Sequence, residues 1–358
     1  GLWTKADAAN LGVPRGQAVV GAQSRLALRV VSRDPGAPLE PDFWRARLRA
    51  AVAARATLAP GVQACRWVHA EADGLPGLVI DRYGPVAVLQ AGCAWADDIA
   101  SDVAAELMQQ DGIEGVLARH DGGFRDPEGL ERGVHVLAGE VPEHVTVDVA
   151  GLPREIDLFG GQKTGSYLDQ RENQALAAQA LPVGRALDAF GHDGGFGLQL
   201  AQAGSTVEIV DSSEAALARA RSVAETLGLA DRVTTTKANV FEDLRARVAA
   251  GERLDGIVLD PPALAKRRHE QRKAERAYKE LNLRALRLLR IGGRLMTCSC
   301  SFHMGREAFL DVLAAAAADA RVGVRVLART GAASCHPVRL GFPESDYLKA
   351  VLLEVVEA

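Results

Sequence analysis

The sequence predicts a mixed α/β protein whose C-terminal half is a doubly wound parallel sheet. The first observation is the order of elements. After about residue 175, "GRALDAF", "STVEIVD", "RVTTTKAN", "LDGIVLDPP" and "GGRLMTCSCS" read as strands, with "GLQLAQAG" and "SEAALARARSVAETLG" among the helices between them. Alternation of this kind gives parallel strands with crossover helices on both faces. The second observation is where the polar residues fall. Asp188, Asp211, Asn239, Asp260 and Cys300 stand at or just past strand ends. Open parallel sheets bind ligands beyond the carboxyl ends of their strands, so these five are expected to share one cleft. The third is length: 358 residues exceed one typical domain, so two or three are expected.

That upstream half follows in order. Residues 18–32 carry strand-like apolar runs around a Gly-Ala-Gln-Ser break, and "RDPGAPLEPD" reads as a linker. Phe43 to Ala59 is an Ala/Arg helix with an apolar stripe. Gly74 to Gln90 reads as two strands around a Tyr-Gly-Pro turn, Asp97 to Gln110 as an amphipathic helix, and Val145 to Leu158 as a hairpin. No internal repeat is visible. The boundaries expected are 1–36, 37–174 and 175–358.

Composition excludes several classes. Residues are 48% hydrophobic and 25% charged, the balance of a globular chain. No apolar run reaches the ~18 to 20 residues of a membrane span, and no secretory signal is visible. The chain opens on Gly rather than Met, as a trimmed start would. Five cysteines, odd in number and irregularly spaced, do not make a disulfide framework, so a reducing cytoplasm is expected. No CxxC occurs and the CxC at 298–300 lacks a His at ligand spacing, so no metal is expected.

"DAFGHDGGFG" (Asp188 to Gly197) is a Gly-rich turn between a strand and a helix. It lacks the G-x-G-x-x-G of dinucleotide sites and the Gly-Lys-Ser/Thr of phosphate loops. What remains is an acid at the strand end, followed by Phe190 and then Gly191 and Gly194, which permit close backbone approach. That suits a ligand with a cationic amino acid portion. Asp211, with Ser212 beside it, ends the next strand, where a carboxylate can accept both ribose hydroxyls. Asn239 ends the third strand and can bond an adenine edge. Together they describe a site for S-adenosyl-L-methionine. The plainer alternative is a Gly-rich turn and helix caps.

"LDPPALAK" places Asp260 at a strand end before two stiffening prolines. Amine-methylating enzymes often have an aromatic residue after such a pair. Here Ala263-Leu264 follows, which argues against that chemistry. "TCSCS" (297–301) ends the next strand. C5 of cytosine is a poor nucleophile until a thiolate adds to C6, and that chemistry needs a Cys at the cleft and an acid near N3. Cys300 and Asp260 are placed for those roles. Cys298, deeper on the same face, is expected to be a buried hydrophobe. For a lone strand cysteine, packing is the commoner role.

The chain resembles the bacterial large-subunit ribosomal RNA cytosine-5 methyltransferases of the RlmI/RlmO type. The resemblance runs from about residue 18 onward. It rests on "EADGLPGLVIDRYG", "GGQKTGSYLDQREN", "DAFGHDGGFG", "VDSSEAALARAR", "LDPPALAK", "TCSCS" and "CHPVRLGFPESDYLKA" in that order. It implies a PUA RNA-binding domain, a central α/β domain and a C-terminal Rossmann-like class I methyltransferase domain. It also implies a Cys nucleophile matched by Cys300. The "QKTGSYLDQR" run looks like the segment closing over the cofactor, which makes Tyr167, Asp169 and Arg171 candidate contacts. Two departures matter. Residues 1–36 resemble only the last PUA strands, so that domain is expected to be cut down or to lie partly outside the chain. Asp193 stands where the family usually has Thr.

Ribosomal RNA is the expected partner, and nothing in the sequence excludes a homodimer. Residues 265–290 hold ten Lys/Arg against three Glu. Such a helix is usually a solvated face, but its start follows Asp260-Pro-Pro, so Lys266, Arg267 and Arg268 are expected to border the cleft and meet a phosphate backbone. Two other readings stay open: methylation of another base position by the same scaffold, and a non-catalytic RNA-binding or ribosome assembly factor.

Overall fold

The computed structural model describes residues 3–7, 14–21, 24, 26, 28–37, 39–58, 61–161, 163–265 and 268–357. Contacts divide the chain into two units. One holds Gly1–Val149, Pro153–Leu168 and Ser334–Ser345, the other Ala150–Leu152, Asp169–Ala333 and Asp346–Ala358. The segment 334–345, expected in the C-terminal domain, thus belongs with the N-terminal half.

In the first unit, β1 (Trp3–Asp7), β2 (Pro14–Val20) and β3 (Leu28–Ser32) form an antiparallel sheet. Helix α1 (Pro41–Leu58) buries Trp44, Leu48, Ala51 and Arg55, a stripe spaced for one helical face. Buried Arg55 is compensated by a bidentate pair with Asp73 at 2.8 and 2.7 Å, and it also donates to the Cys335 carbonyl. A five-stranded sheet follows in the order β4 (Ala64–His69), β5 (Leu78–Tyr83), β6 (Val86–Ala91), β7 (Gly115–Arg119) and β8 (Val134–Gly139). Strands β6 and β7 are parallel, joined through α2 (Ala94–Asp98) and α3 (Ala100–Leu107). The single helix expected over 97–110 is therefore two, broken at Ile99, whose backbone leaves the helical region (φ −97°, ψ 0°). The hairpin β9 (His144–Val149) and β10 (Leu152–Asp157) turns through Ala150 and Gly151, both at positive φ, the tight turn whose twist matches a hairpin.

The second unit starts with α4 (Arg171–Ala180). Its sheet is built from β11 (Arg185–Ala189), β12 (Thr206–Asp211), β13 (Val233–Lys237), β14 (Leu254–Leu259), β15 (Leu289–Ser299), β16 (Gly323–Thr330) and β17 (Lys349–Glu357). Between them lie α5 (Gly195–Gln202), α6 (Glu214–Thr226), α7 (Val240–Ala249), α8 (Gln271–Leu288) and α9 (Arg306–Ala320). The spatial order is β13-β12-β11-β14-β15-β17-β16. The expected all-parallel sheet needs one correction: β17 runs antiparallel to both β15 and β16. Between β16 and β17 the chain forms only a 3-10 turn at Pro343–Ser345, so no crossover helix returns it to the starting edge.

Successive strand residues serve opposite faces. Leu187, Ile257, Leu295 and Leu353 pack under α8 and α9, with Tyr278 and Phe309. Ala186, Ile209, Val258, Met296 and Cys298 pack under α4, α5 and α6, with Phe196 and Leu217. The strand order reverses between β11 and β14, and the crevice at that reversal is where the polar strand-end residues stand.

Candidate active site

Asp188 is the penultimate residue of β11 and is 0% exposed. The chain then turns sharply. Phe190 and His192 take left-handed backbone (φ 64° and 48°) and Gly194 follows at φ 83°. Left-handed non-glycine residues cost on the order of 1–3 kcal/mol each and cluster at functional turns. An ideal Cβ on Gly191 would lie 2.5 Å from Ile209 Cγ2 and 2.8 Å from Asp188 Oδ2, so only glycine lets the turn close on the carboxylate. Gly197 N donates to Asp188 Oδ2 at 2.7 Å, while Asp188 Oδ1 is buried with no hydrogen-bond partner among the described residues. Burial pushes this carboxyl up to about 7, with the charges of Asp260, Asp211 and Asp193 adding to the rise and the Gly197 N–H opposing it. Asp211 and Asp260, named from the strand ends, are therefore near enough to Asp188 for their charges to be felt there. An orphaned buried carboxylate oxygen fits the cationic amino acid portion of S-adenosyl-L-methionine.

Asp211 accepts from His192 N (3.1 Å) through Oδ2 and from Ser213 N (2.8 Å) through Oδ1. A carboxylate has about four acceptor sites, so ribose hydroxyls can still be taken. Ser212 is exposed beside it, and the cap of α6 is Ser213. Asn239 is exposed and caps α7, its Oδ1 accepting from Phe241 N at 3.0 Å. Here the capping alternative is realised, with the amide nitrogen left over for a ligand. Phe241, not singled out from the sequence, meets Phe190 edge-on at 6.2 Å between ring centres.

Asp260 leaves β14 beside β11, its N–H donating to Ala189 O at 3.4 Å. Its Oδ1 accepts from Gln170 Nε2 at 2.9 Å. Gln170 in turn accepts from Asn173 (2.7 Å), and Asn173 accepts from Thr330 Oγ1 (2.6 Å). Gln170 lies between two residues that were singled out, yet its role was not visible, because its partner is 90 positions away.

The two cysteines separate. Cys298 is 0% exposed inside the core under α4 and α5. Burial first, then the nearby Asp260 charge, pushes its thiol well above the ordinary range. Cys300 is half-buried past the end of β15, and its Sγ lies 3.9 Å from Pro261 O. The next residue ties the two loops together. Ser301 Oγ accepts from Leu264 N (2.9 Å) and Ala265 N (3.1 Å) and is 3.0 Å from Tyr278 Oη.

Asp169 is buried and accepts from Tyr347 Oη at 2.7 Å. Arg171, also buried, opens α4. Tyr167 belongs to the first unit, where Lys163 Nζ sits 4.4 Å from its ring centre. Lys266 and Arg267 lie outside the described residues, and Arg268 begins a 3-10 turn. Further along, Lys279 pairs with Asp319 (2.8 Å), Arg284 with Glu280 (3.5 Å) and Arg290 with Asp255 (2.7 Å), which makes that part of the basic run a solvated, ion-paired surface. Among the described residues no group of three His, Cys, Asp or Glu is arranged to hold a metal, and no helix is long and apolar enough to cross a membrane.

Comparison with known proteins follows this geometry. A family model described as RNA cap guanine-N2 methyltransferase matches residues 183–309. Among solved structures, a putative SAM-dependent methyltransferase from Streptococcus mutans superposes with a TM-score of 0.82 at 19% identity, covering 97% of this chain and 89% of that one. A putative methyltransferase complexed with SAH gives 0.83 at 19% identity, with 97% and 90% covered. At that identity these establish the fold. Sequence relatives are nearer. The ribosomal RNA large subunit methyltransferase I of Shewanella frigidimarina is 38% identical over 338 residues, covering 93% of this chain and 85% of the relative. That of Photobacterium profundum is 38% identical over 333 residues, covering 91% and 84%. Similarity at this level across both units, on a methyltransferase fold, is family membership: the chain belongs to the ribosomal RNA large subunit methyltransferase I family.

Proposed function

We propose that this protein methylates C5 of a cytosine in large-subunit ribosomal RNA, with S-adenosyl-L-methionine as methyl donor and Cys300 as nucleophile. The observation that carries the reading is the split between the cysteines. Cys298 is sealed in the core, whereas Cys300 is half-buried on the loop facing Pro261, next to Asp260.

Asp188, Asp211 and Asn239 hold the cofactor's amino acid, ribose and adenine portions, with Phe190, Gly191, Gly194 and Ser212 shaping the turn around it. Asp169, Arg171 and Tyr167 are proposed further contacts. The cofactor supplies an electrophilic methyl group. Cys300 loses its proton and the thiolate adds to C6 of the base, which makes C5 nucleophilic. Asp260, steadied by Gln170, must carry a proton for this step: it donates to N3 as electron density builds there and recovers the proton when the ring is restored. C5 would take the methyl group as the donor's sulfur–methyl bond breaks and a neutral thioether leaves; loss of the C5 proton to solvent then expels the thiolate and restores the aromatic ring. The basic start of the 265–290 run is proposed to hold the RNA backbone. Reversing Arg267 and Arg268 to Glu is expected to flatten the salt dependence of RNA binding by on the order of one to two units.

The test is covalent trapping. RNA carrying 5-fluorocytosine at the target retains the adduct, because fluorine blocks the final elimination. Peptide mapping is expected to place the adduct on Cys300, and Cys300→Ala is expected to abolish methylation while keeping cofactor affinity. Methylation at another base position is the second reading, favoured by the guanine-N2 description matched at 183–309. That chemistry needs no thiol, so full turnover by Cys300→Ala selects it.

A further inference from the structure

The stretch "SDYLKA" near the C-terminus contains a lysine that the reaction above does not use. Lys349 is the first residue of β17, paired in register with Ser299 of β15, and is 2% exposed. Its Nζ donates to the carbonyls of Ser301 and Tyr347, each at 2.7 Å. No carboxylate lies within ion-pair distance of it among the described residues. An ammonium has three donors, and two are spent on carbonyls. A buried cation without a bonded anion is costly to keep, so its place calls for an anion that arrives during function.

We propose that Lys349 is a positioning residue that holds the Cys300 thiol in its ionised, nucleophilic form. The bond to Ser301 O fixes the ammonium on the residue next to Cys300. Three other described groups lie around the thiol. Cys298 lies two positions before it on β15, Asp260 follows the neighbouring strand, and Tyr278 comes from α8. When ionised, Asp260 opposes a thiolate, while Cys298 and Tyr278 are neutral at pH 7. Of these groups Lys349 alone is a cation. Burial lowers Lys349 to about 8, the Cys300 charge and then Asp346 resist that fall, and Arg306 adds to it. The ammonium therefore survives at neutral pH and is lost as pH climbs past about 8. A thiolate beside it is favoured in the pH range where the ammonium persists.

The proposal rests on the reading of Cys300 as nucleophile, but its test does not require turnover. The rate of iodoacetamide alkylation at Cys300 is followed against pH by peptide mapping, in the full chain without RNA. In the unaltered protein the midpoint is expected below the ~8.5 of an ordinary thiol. Lys349→Met keeps the apolar stem and removes the charge. It is expected to raise the midpoint by about one unit and slow alkylation at pH 7 about tenfold, with S-adenosylhomocysteine affinity retained as proof of folding. Lys349→Arg is expected to keep the lowered midpoint. A midpoint at or above 8.5 in the unaltered protein, or an unchanged midpoint in folded Lys349→Met, overturns the assignment. Should Cys300→Ala still methylate RNA, the nucleophile reading fails, and the alkylation profile still decides whether Lys349 ionises that thiol.

Discussion

Gln170 and Asp260, ninety residues apart, meet through a 2.9 Å hydrogen bond from the side-chain amide to carboxylate Oδ1. The bond fixes the orientation of the carboxylate at the end of its strand. Gln170 is itself held by Asn173, so the geometry is set before any base arrives. Gln170→Leu removes the donor without opening a large cavity. We expect kcat to fall about ten- to a hundredfold with cofactor affinity nearly unchanged, and stability to drop by about 1–3 kcal/mol from the unpaired buried partners. Urea unfolding and single-turnover methylation separate the two effects. A normal kcat in Gln170→Leu would show that Asp260 needs no orienting.

Asp188 is predicted to make cofactor binding depend on pH. Its carboxyl is raised to about 7 in the fold, against an ordinary value near 4. In the free protein the neutral form is therefore favoured below about 7, and this group's contribution to stability falls as pH climbs from about 4 to about 7. A cationic ligand favours the carboxylate, so binding should release a proton, and affinity should weaken as pH drops below about 7. Calorimetric titration in buffers of different ionisation heat, from pH 5.5 to 8.5, measures the proton count directly. Asp188→Asn is expected to bind weakly and without pH dependence. An affinity that stays flat across that range in the unaltered protein removes Asp188 from contact with the cofactor's cation.

Asp211 carries a different load. Its two oxygens accept backbone N–H groups from His192 and Ser213, so the side chain also shapes the turn. Asp211→Ala is expected to weaken cofactor binding by about 1.5–3 kcal/mol, roughly ten- to 150-fold, through lost charge-assisted bonds. Asp211→Asn keeps an acceptor for one backbone donor and should lose less stability than Ala. Equal affinity in folded Asp211→Ala and the unaltered protein would leave the residue as a cap alone.

What was legible in the sequence was local. Apolar strand runs ending in Asp188, Asp211 and Asp260 gave the parallel strands and their acids, because strand, turn and crossover follow from short-range pattern. Cys300 could be separated from Cys298 by counting along one strand. Contacts that need the chain to return were not legible. Gln170 on Asp260, Lys349 on Ser301 and the reversed strand β17 join residues far apart in sequence, and no local period encodes them. The break at Ile99 was hidden for the opposite reason: the apolar pattern continues across it, while the backbone does not.

Cys298, the inner of the two cysteines, is predicted to take no part in the reaction. Cys298 packs in the core with Val258, Met296 and Ala350, and its thiol is pushed well above the ordinary range by burial. Cys298→Ala shortens a small buried side chain by one atom and should cost about 1 kcal/mol, with methylation retained. Cys298→Ser has nearly the same size but buries a hydroxyl, which must find a partner among Gln170 and Asp260 or pay about 1–3 kcal/mol. Ser is therefore expected to be more destabilising than Ala, the reverse of what volume alone would give. In the native protein iodoacetamide should label Cys300 and spare Cys298 until unfolding exposes it. Labelling of Cys298 at the rate of Cys300, or loss of methylation in a folded Cys298→Ala variant, would give the inner cysteine a part in the chemistry and return the nucleophile assignment to it.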